Sequence, residues 1–426
     1  MRPSLFFKLG FLWSIPGFAV AAGAQQQVVE PLPETHPVRS DDRIVSEKSP
    51  SRTRDLDPRT AARAAIAAMN DRFFAPSQNI WSPGDPWWVS GVALTGIIDY
   101  MRKSNSSEYL DQVEKIIHAQ RVVLSWWPRG LGEFRADSTD DTGWWALAMI
   151  GMYDLTGNST YLGIAIEDEV YMYGYWSDNP CGGGLYVDIP KLTYKNAIAN
   201  ELYIKLAASL HNRIDGDTVY LPRAEKAWSW FQGSGMIGNG SNLINDGLTS
   251  RSDGTCFNNQ LPVWTYNQGV ILGALVELYQ ATKNDTYLST AQFIADAVLA
   301  ADTTLVRDGV LTEAGCSSSS SSSSSDESQC NSDQQAFKGI FAGNLAELDA
   351  ALPQPDDDGR EGSNHRRPYK PFLQLNAQSV YGRDRRVVES PDGELDLYDV
   401  SWAGPFRNST VAKQASALWL LVAVMR

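Results

Sequence analysis

Asp137-Ser138-Thr139-Asp140-Asp141-Thr142-Gly143-Trp144-Trp145-Ala146-Leu147-Ala148-Met149-Ile150 runs from a carboxylate cluster straight into an apolar, helix-forming stretch. Its apolar residues do not keep to one stripe, and a helix that is apolar nearly all round is a buried one. Neighbouring carboxylates raise one another's proton affinity, so two of them can hold different protonation states near neutral pH. Glycoside cleavage needs such a pair, one acid to protonate the leaving oxygen and one carboxylate to attack or stabilise the anomeric carbon. Thr139 or Asp140 equally serves as the N-cap of the helix that follows, where its dipole favours acidic side chains. The Trp144-Trp145 pair weighs toward a sugar site, because an aromatic face beside acids accepts the C–H side of a sugar ring. Core packing is the plainer reading of those rings, and it fits one of the two.

Outward from this stretch the chain repeats itself. Ser107-Glu108-Tyr109-Leu110, Ser159-Thr160-Tyr161-Leu162, Thr218-Val219-Tyr220-Leu221 and Asp285-Thr286-Tyr287-Leu288 each sit in a short polar turn, their tyrosines 52, 59 and 67 residues apart. A repeat of that length without strand alternation fits helical hairpins, each burying a face on its neighbour. Six segments are apolar nearly all round, at about 86–103, 140–156, 193–210, 264–282, 334–351 and 411–425. Six more, at about 59–74, 107–125, 160–174, 217–232, 287–301 and 369–382, are one-faced. Six inner and six outer helices predict an all-α (α/α)6 barrel, one domain over residues 58–426.

Asn105, Asn158, Asn239, Asn284 and Asn408 each begin an Asn-x-Ser/Thr sequon, and three of them, Asn105, Asn158 and Asn284, fall in inner-to-outer turns. Those turns should form one glycosylated end, leaving the end where inner helices start for substrate. There the chain reads Asp85-Pro86-Trp87-Trp88, Asp140-Asp141, Tyr194-Lys195-Asn196 with Asn200, Trp264-Thr265-Tyr266-Asn267-Gln268 and Gln335-Ala336-Phe337-Lys338. Amides and aromatics at one end suit hydroxyl recognition and ring stacking. The expected substrate contacts are Trp87, Trp88, Trp144, Tyr194, Asn196, Asn200, Trp264, Tyr266, Asn267 and Lys338. Any single asparagine among them is more commonly a helix cap than a ligand.

Several of these stretches carry a resemblance. Asp140-Asp141-Thr142-Gly143-Trp144-Trp145-Ala146-Leu147-Ala148 is followed by Met152-Tyr153-Asp154-Leu155-Thr156-Gly157-Asn158 and Cys181-Gly182-Gly183-Gly184-Leu185-Tyr186. Then come Tyr194-Lys195-Asn196-Ala197-Ile198-Ala199-Asn200-Glu201-Leu202, Thr265-Tyr266-Asn267-Gln268-Gly269, Phe337-Lys338-Gly339-Ile340-Phe341 and Gln414-Ala415-Ser416-Ala417-Leu418. In content and order these blocks resemble glycoside hydrolase family 76, the endo-1,6-alpha-mannanases, over about residues 59–426. The resemblance implies the same (α/α)6 fold and hydrolysis of alpha-1,6-mannan within the chain. It also implies net retention, with Asp140 as nucleophile and Asp141 as general acid/base. Adjacent residues can act so only if the helix start turns both carboxyls toward the sugar.

The ends of the chain bear on compartment. Arg2 and Lys8 precede an apolar run from Leu9 to Val20 and a small-residue site, Ala22-Gly23-Ala24, which read as a signal peptide over 1–24. Residues 25–57 read as a disordered leader. Removing Arg2 and Lys8 takes the formal charge from −14 to −16, a balance that argues against nucleic acid and suits a secreted, soluble monomer. The four cysteines should form two disulfides. Proximity in sequence favours Cys316 with Cys330, which leaves Cys181 with Cys256. Ala412 to Met425 is apolar but lacks the polar spacer of a lipid-anchor signal, so a helix of the fold and no membrane anchor are expected. Nine serines at 317–325 predict a flexible loop within 316–330. Asp356-Asp357-Asp358-Gly359 lacks the spacing of a calcium loop, and the four histidines are scattered, so neither metal nor cofactor is expected.

The leading expectation is a secreted hydrolase of mannan or mannooligosaccharide. Two alternatives stand beside it. One is a cell-wall transglycosidase acting on mannose-containing anchor glycans, and the other is a mannan-binding protein with a dead site.

Overall fold

The computed structural model describes residues 55–425, apart from 83–85, 128–129, 301–303, 317–329, 354–366 and 392. The expected signal peptide, the leader up to residue 54, the serine run and the Asp356 loop lie outside the described residues. Twelve α-helices are found among the described residues. They are α1 (Pro58–Phe73), α2 (Trp87–Ser104), α3 (Leu110–Gln120), α4 (Thr139–Thr156), α5 (Ser159–Tyr173) and α6 (Ala197–His211). The second half holds α7 (Tyr220–Gly233), α8 (Thr265–Thr282), α9 (Asp285–Leu299), α10 (Gln334–Ala351), α11 (Lys370–Ser379) and α12 (Val411–Ala423).

The even-numbered helices form a closed inner ring, each packed on the next, with α12 returning to α2. The odd-numbered helices lie outside and bury one face, so the architecture is an (α/α)6 barrel. Burial follows the sequence pattern, since every residue from Val411 to Val422 of α12 is buried, whereas α7 buries only Ala224, Ala227, Trp228 and Phe231. Each large apolar side chain so removed from water contributes about 2 kcal/mol.

Inner-to-outer turns are short because their caps are compact. Asn105, Gly157 and Lys283 end α2, α4 and α8 in the left-handed conformation, and Asn158 and Asn284 cap α5 and α9 by accepting from the Thr160 and Thr286 amides. Two of the five sequon asparagines therefore also serve as helix caps.

The outer-to-inner connections are longer and depart from the expected absence of strands. They hold five two-stranded antiparallel hairpins: β1 (Phe74–Ala75) with β2 (Ile80–Trp81), β3 (Gly130–Gly132) with β4 (Arg135–Ala136), and β5 (Leu248–Ser250) with β6 (Cys256–Asn258). The others are β7 (Val306–Arg307) with β8 (Val310–Leu311) and β9 (Arg386–Ser390) with β10 (Gly393–Leu397). Strands this short are silent in hydropathy, because alternation needs several residues to register. A second departure is the start of α6 at Ala197 rather than near residue 193. Tyr194 and Lys195 are extended, and Asn196 is the N-cap, accepting from the Ala199 amide. α3 is also shorter than the 107–125 expected, closing at Gln120.

Candidate active site

The end of the barrel where the inner helices begin gathers carboxylates from several elements. Asp140 and Asp141 occupy the first turn of α4, and Asp140 Oδ1 accepts from the Asp141 amide at 3.0 Å. Both are half-buried. The stretch before them is fixed by its neighbour: the Thr139 amide donates to Val187, the Thr139 hydroxyl to Tyr186, and the Ile189 amide to Asp137, while Ser138 bridges Asp188. The α5–α6 connection thus sets how α4 starts.

That connection is itself held from within. The Lys195 ammonium, 2% exposed, donates to the Pro180 and Gly183 carbonyls at 2.7 Å and to that of Ser177. Asn200, fully buried, accepts from the Leu185 amide and donates to the Leu185 and Asn196 carbonyls. Gly184, at φ +92°, lies under the Trp230 ring, where a Cβ would come within 2.2 Å of ring carbon. The glycine run therefore has a steric cause as well as a conformational one.

Burial is the main cause lifting the Asp140 carboxyl to about 6, aided by Asp333 and opposed by the Ser138 hydroxyl and local amides. Asp141 is pushed well above the usual carboxylate range, by burial first and then by Asp140, Asp333 and Asp137. Adjacent in sequence, the two carboxyls are both raised by burial, and the charge of Asp140 opposes ionisation of Asp141.

Around the pair stand other polar groups. Asp333 caps the start of α10 and accepts from Trp88 Nε1 at 2.9 Å. Asp246, in the α7–α8 connection, accepts from the Tyr194 hydroxyl and, at 3.1 Å, from Trp264 Nε1. Tyr194 in turn accepts from Asn259 at 2.8 Å. Tyr266 feels the charges of Asp246, Asp140, Glu201 and Asp333, and its ring stacks on Phe337 at 3.7 Å between centroids. Trp88 stacks on Trp144 at 5.4 Å and approaches Phe337 at 6.2 Å, so an aromatic layer lies beneath the acids.

Of the expected contacts, the structure brings Trp88, Trp144, Tyr194, Trp264 and Tyr266 together with Asp140 and Asp141. The other five are buried or engaged elsewhere. Trp87 is 2% exposed, stacks on Trp145 at 5.0 Å and donates to Gln120, a core position. Asn196 is the α6 cap and Asn200 the clamp on Leu185. Asn267 is fully buried within α8. Lys338, 2% exposed, donates to the Val400 and Leu311 carbonyls and lies over the Trp402 ring, so its ammonium is spent on the outer-to-inner connections. A position near a helix start does not by itself fix which way a side chain faces.

Asp333, Asp246 and Glu201 escaped sequence reading. Asp333 offered a usable sign, an acid directly before an inner helix as at Asp140. Asp246 lies in a connection, and only tertiary contact reveals it. Among the described residues no group of three or more histidines, cysteines or acids is arranged to hold a metal ion. Disulfides join Cys181 to Cys256 and Cys316 to Cys330. No helix of the described residues is long and apolar enough to cross a membrane.

An (α/α)6 barrel with paired acids and aromatic rings at its mouth defines a carbohydrate-active class of protein. The profile of glycosyl hydrolase family 76 matches residues 58–370, and the chain belongs to that family. Among curated relatives, mannan endo-1,6-alpha-mannosidase DFG5 of Candida albicans is 26% identical over 301 residues, covering 66% of this chain and 62% of its own. Mannan endo-1,6-alpha-mannosidase DCW1 of Saccharomyces cerevisiae is 28% identical, covering 63% and 59%. The chain thus spans about three-fifths of the length of these relatives. Among solved structures, an inactive variant of an alpha-1,6-mannanase from a Salegentibacter species, two consecutive aspartates changed to asparagine, is in complex with alpha-1,6-mannotriose. It superposes with a TM-score of 0.71 at 22% identity, covering 87% of this chain and 99% of that one. Dfg5 of Chaetomium thermophilum, in complex with glucosamine, gives 0.64 at 18% identity, covering 86% and 89%.

Proposed function

We propose that the protein is a secreted glycosidase cleaving alpha-1,6-mannosidic linkages within mannan, with net retention. The observation that carries this reading is the placement of two adjacent carboxyls, Asp140 and Asp141, in the first turn of an inner helix, among the aromatic rings and acids gathered at the same end of the barrel. Asp141, protonated, gives its proton to the glycosidic oxygen as the C–O bond breaks, while ionised Asp140 attacks the anomeric carbon. Asp141, now a carboxylate, takes a proton from water as the water displaces Asp140, which restores both groups. Asp246, its carboxylate oriented by Tyr194 and Trp264, accepts from sugar hydroxyls, and Trp264 and Tyr266 offer ring faces. The mannotriose-bound relative, inactivated at two consecutive aspartates, supports placing the reaction on Asp140 and Asp141.

Asp140→Asn or Asp141→Asn keeps shape and removes a charge or a proton source, and turnover of alpha-1,6-mannan should fall by about 10²–10⁴-fold. Proton NMR of the first reducing ends released by the unaltered enzyme should show the alpha anomer. An initial beta product would overturn the retaining assignment and place the second carboxylate elsewhere. The transglycosidase reading shares the covalent step and differs in acceptor, so dilute sugar acceptors outcompeting water in the same experiment would favour it. A binding protein would release nothing.

A further inference from the structure

The end of the barrel opposite the acids holds a cavity of about 990 Å³, with a second of about 400 Å³ that reaches along the axis to Trp144. The larger is lined by all three residues of one sequon, Asn105, Ser106 and Ser107. The other four sequon asparagines line neither cavity.

Asn105 is presented there by backbone geometry. It is the left-handed C-cap of α2, at φ 49° and ψ 49°, and its amide is spent on the Met101 and Arg102 carbonyls. Its side chain is exposed and makes no hydrogen bond among the described residues. By contrast, the Asn158 and Asn284 side chains are engaged as helix caps, and that of Asn408 accepts from Lys413.

The lining selects among occupants. Asp99, Asp154 and Glu347 are interleaved with Arg102 and Lys103, so a charged ligand of either sign would face repulsion as well as attraction. A purely apolar ligand would strip water from five charged groups without replacing its hydrogen bonds. Leu110 and Trp419 add apolar wall. Donors, acceptors and apolar surface in one cavity match the hydroxyls, acetamido groups and C–H faces of sugar rings. The volume lies at the upper end of the usual range for ligand sites, about 300–1,000 Å³. A glycan tethered at the rim binds at an effective concentration of order millimolar, so contacts of modest affinity are enough.

We propose that an N-linked glycan on Asn105 folds back into this cavity, its first N-acetylglucosamine units filling the non-catalytic end of the barrel. The inference rests on the secretory reading above, because only that route attaches such glycans.

The full chain should be secreted from a host that adds N-glycans, and each sequon mapped by glycopeptide mass spectrometry. Native protein is then digested over time with an endoglycosidase that cuts between the first two N-acetylglucosamines. The Asn105 glycan should be released at least tenfold more slowly than those at other occupied sites, and at the same rate once the protein is denatured. Glu347→Ala, which opens the wall, should speed its release from the native protein. Equal native rates at Asn105 and the other sites would overturn the inference. So would an unmodified Asn105 beside other occupied sequons. Five bare sequons on secreted protein would refute it while leaving the secretory reading intact, and failure to secrete would refute both.

Discussion

Glu201 is the residue that most plainly breaks the rules of a stable core. It is fully buried on α6, neither carboxyl oxygen has a hydrogen-bond partner among the described residues, and burial, then Asp246, pushes its proton affinity well up. It lies one turn before Lys205 on the same helix face, and it adds to the field at Tyr266 beside Asp140. A carboxyl kept neutral by burial must take up a proton when the chain folds at pH 7, a cost that a non-titrating amide or apolar side chain of similar size does not carry. Glu201→Gln should therefore raise stability at pH 7 by about 1 kcal/mol, read as a higher urea midpoint with unchanged m-value. A lowered midpoint would mean that the carboxyl has a stabilising partner after all. Acids placed against stability belong at functional sites, which agrees with Glu201 lying under the acid cluster.

At the scale of elements, the α5–α6 connection is the part that makes a helix start into a site. It pairs with residues 137–139, is clamped by Lys195 and Asn200, and is tied to β6 through Cys181–Cys256. That disulfide spans 75 residues against 14 for Cys316–Cys330. On the loop-entropy account, removing the first costs about 4.5 kcal/mol and the second about 3 kcal/mol. Replacing Cys181 and Cys256 with serine should lower the melting temperature more than replacing Cys316 and Cys330, and should also depress turnover, because the Asp137–Thr139 pairing loosens. Full activity in the folded Cys181/Cys256 variant would show that the connection holds Asp140 and Asp141 without the disulfide. The sequence displayed this connection only as a glycine-rich family block. Its contacts with the start of α4 join residues 47 to 52 positions apart, as from Tyr186 to Thr139 or Ile189 to Asp137, and local patterning cannot report them.

For the molecule as a whole, the two ends of the barrel are electrostatically unlike. The end where the inner helices begin concentrates acids, while the far end interleaves charges: Arg102 with Asp99 and Asp154, Arg213 with Asp154 and Glu277, and Lys205 with Glu347. These pairs link α2, α4, α6, α8 and α10 across the axis. Buried acids elsewhere set the pH response. Asp168 and Glu201 are raised well above their usual range and Glu313 and Asp384 to about 8, in each case chiefly by burial. Between about pH 4 and 8 the unfolded chain has released these protons and the folded chain keeps them, so stability falls as pH rises. Lys195 and Lys338, lowered to about 8 by burial, act in the other sense only above that pH, where stability recovers with rising pH. The melting temperature should be several degrees higher at pH 5 than at pH 7.5. A flat or rising profile across that interval would show that these acids are ionised in the folded protein.

What the sequence determined by itself is the barrel and the acid pair. All-round apolar segments alternating with one-faced ones require an inner and an outer layer, and Asp140-Asp141 before Trp144-Trp145 marks the end where acids and rings gather, because both signals are local in the chain. What only the tertiary structure decided is which way side chains at the mouth turn. Trp87 and Trp88 are neighbours, yet one joins the core and the other holds Asp333. Lys338 begins an inner helix like the others, but its ammonium is drawn to the Val400 and Leu311 carbonyls. Asp246 takes its place from Tyr194 and Trp264, 52 and 18 residues away. A buried polar group goes to its hydrogen-bond partner, and in this fold those partners come from other turns of the barrel.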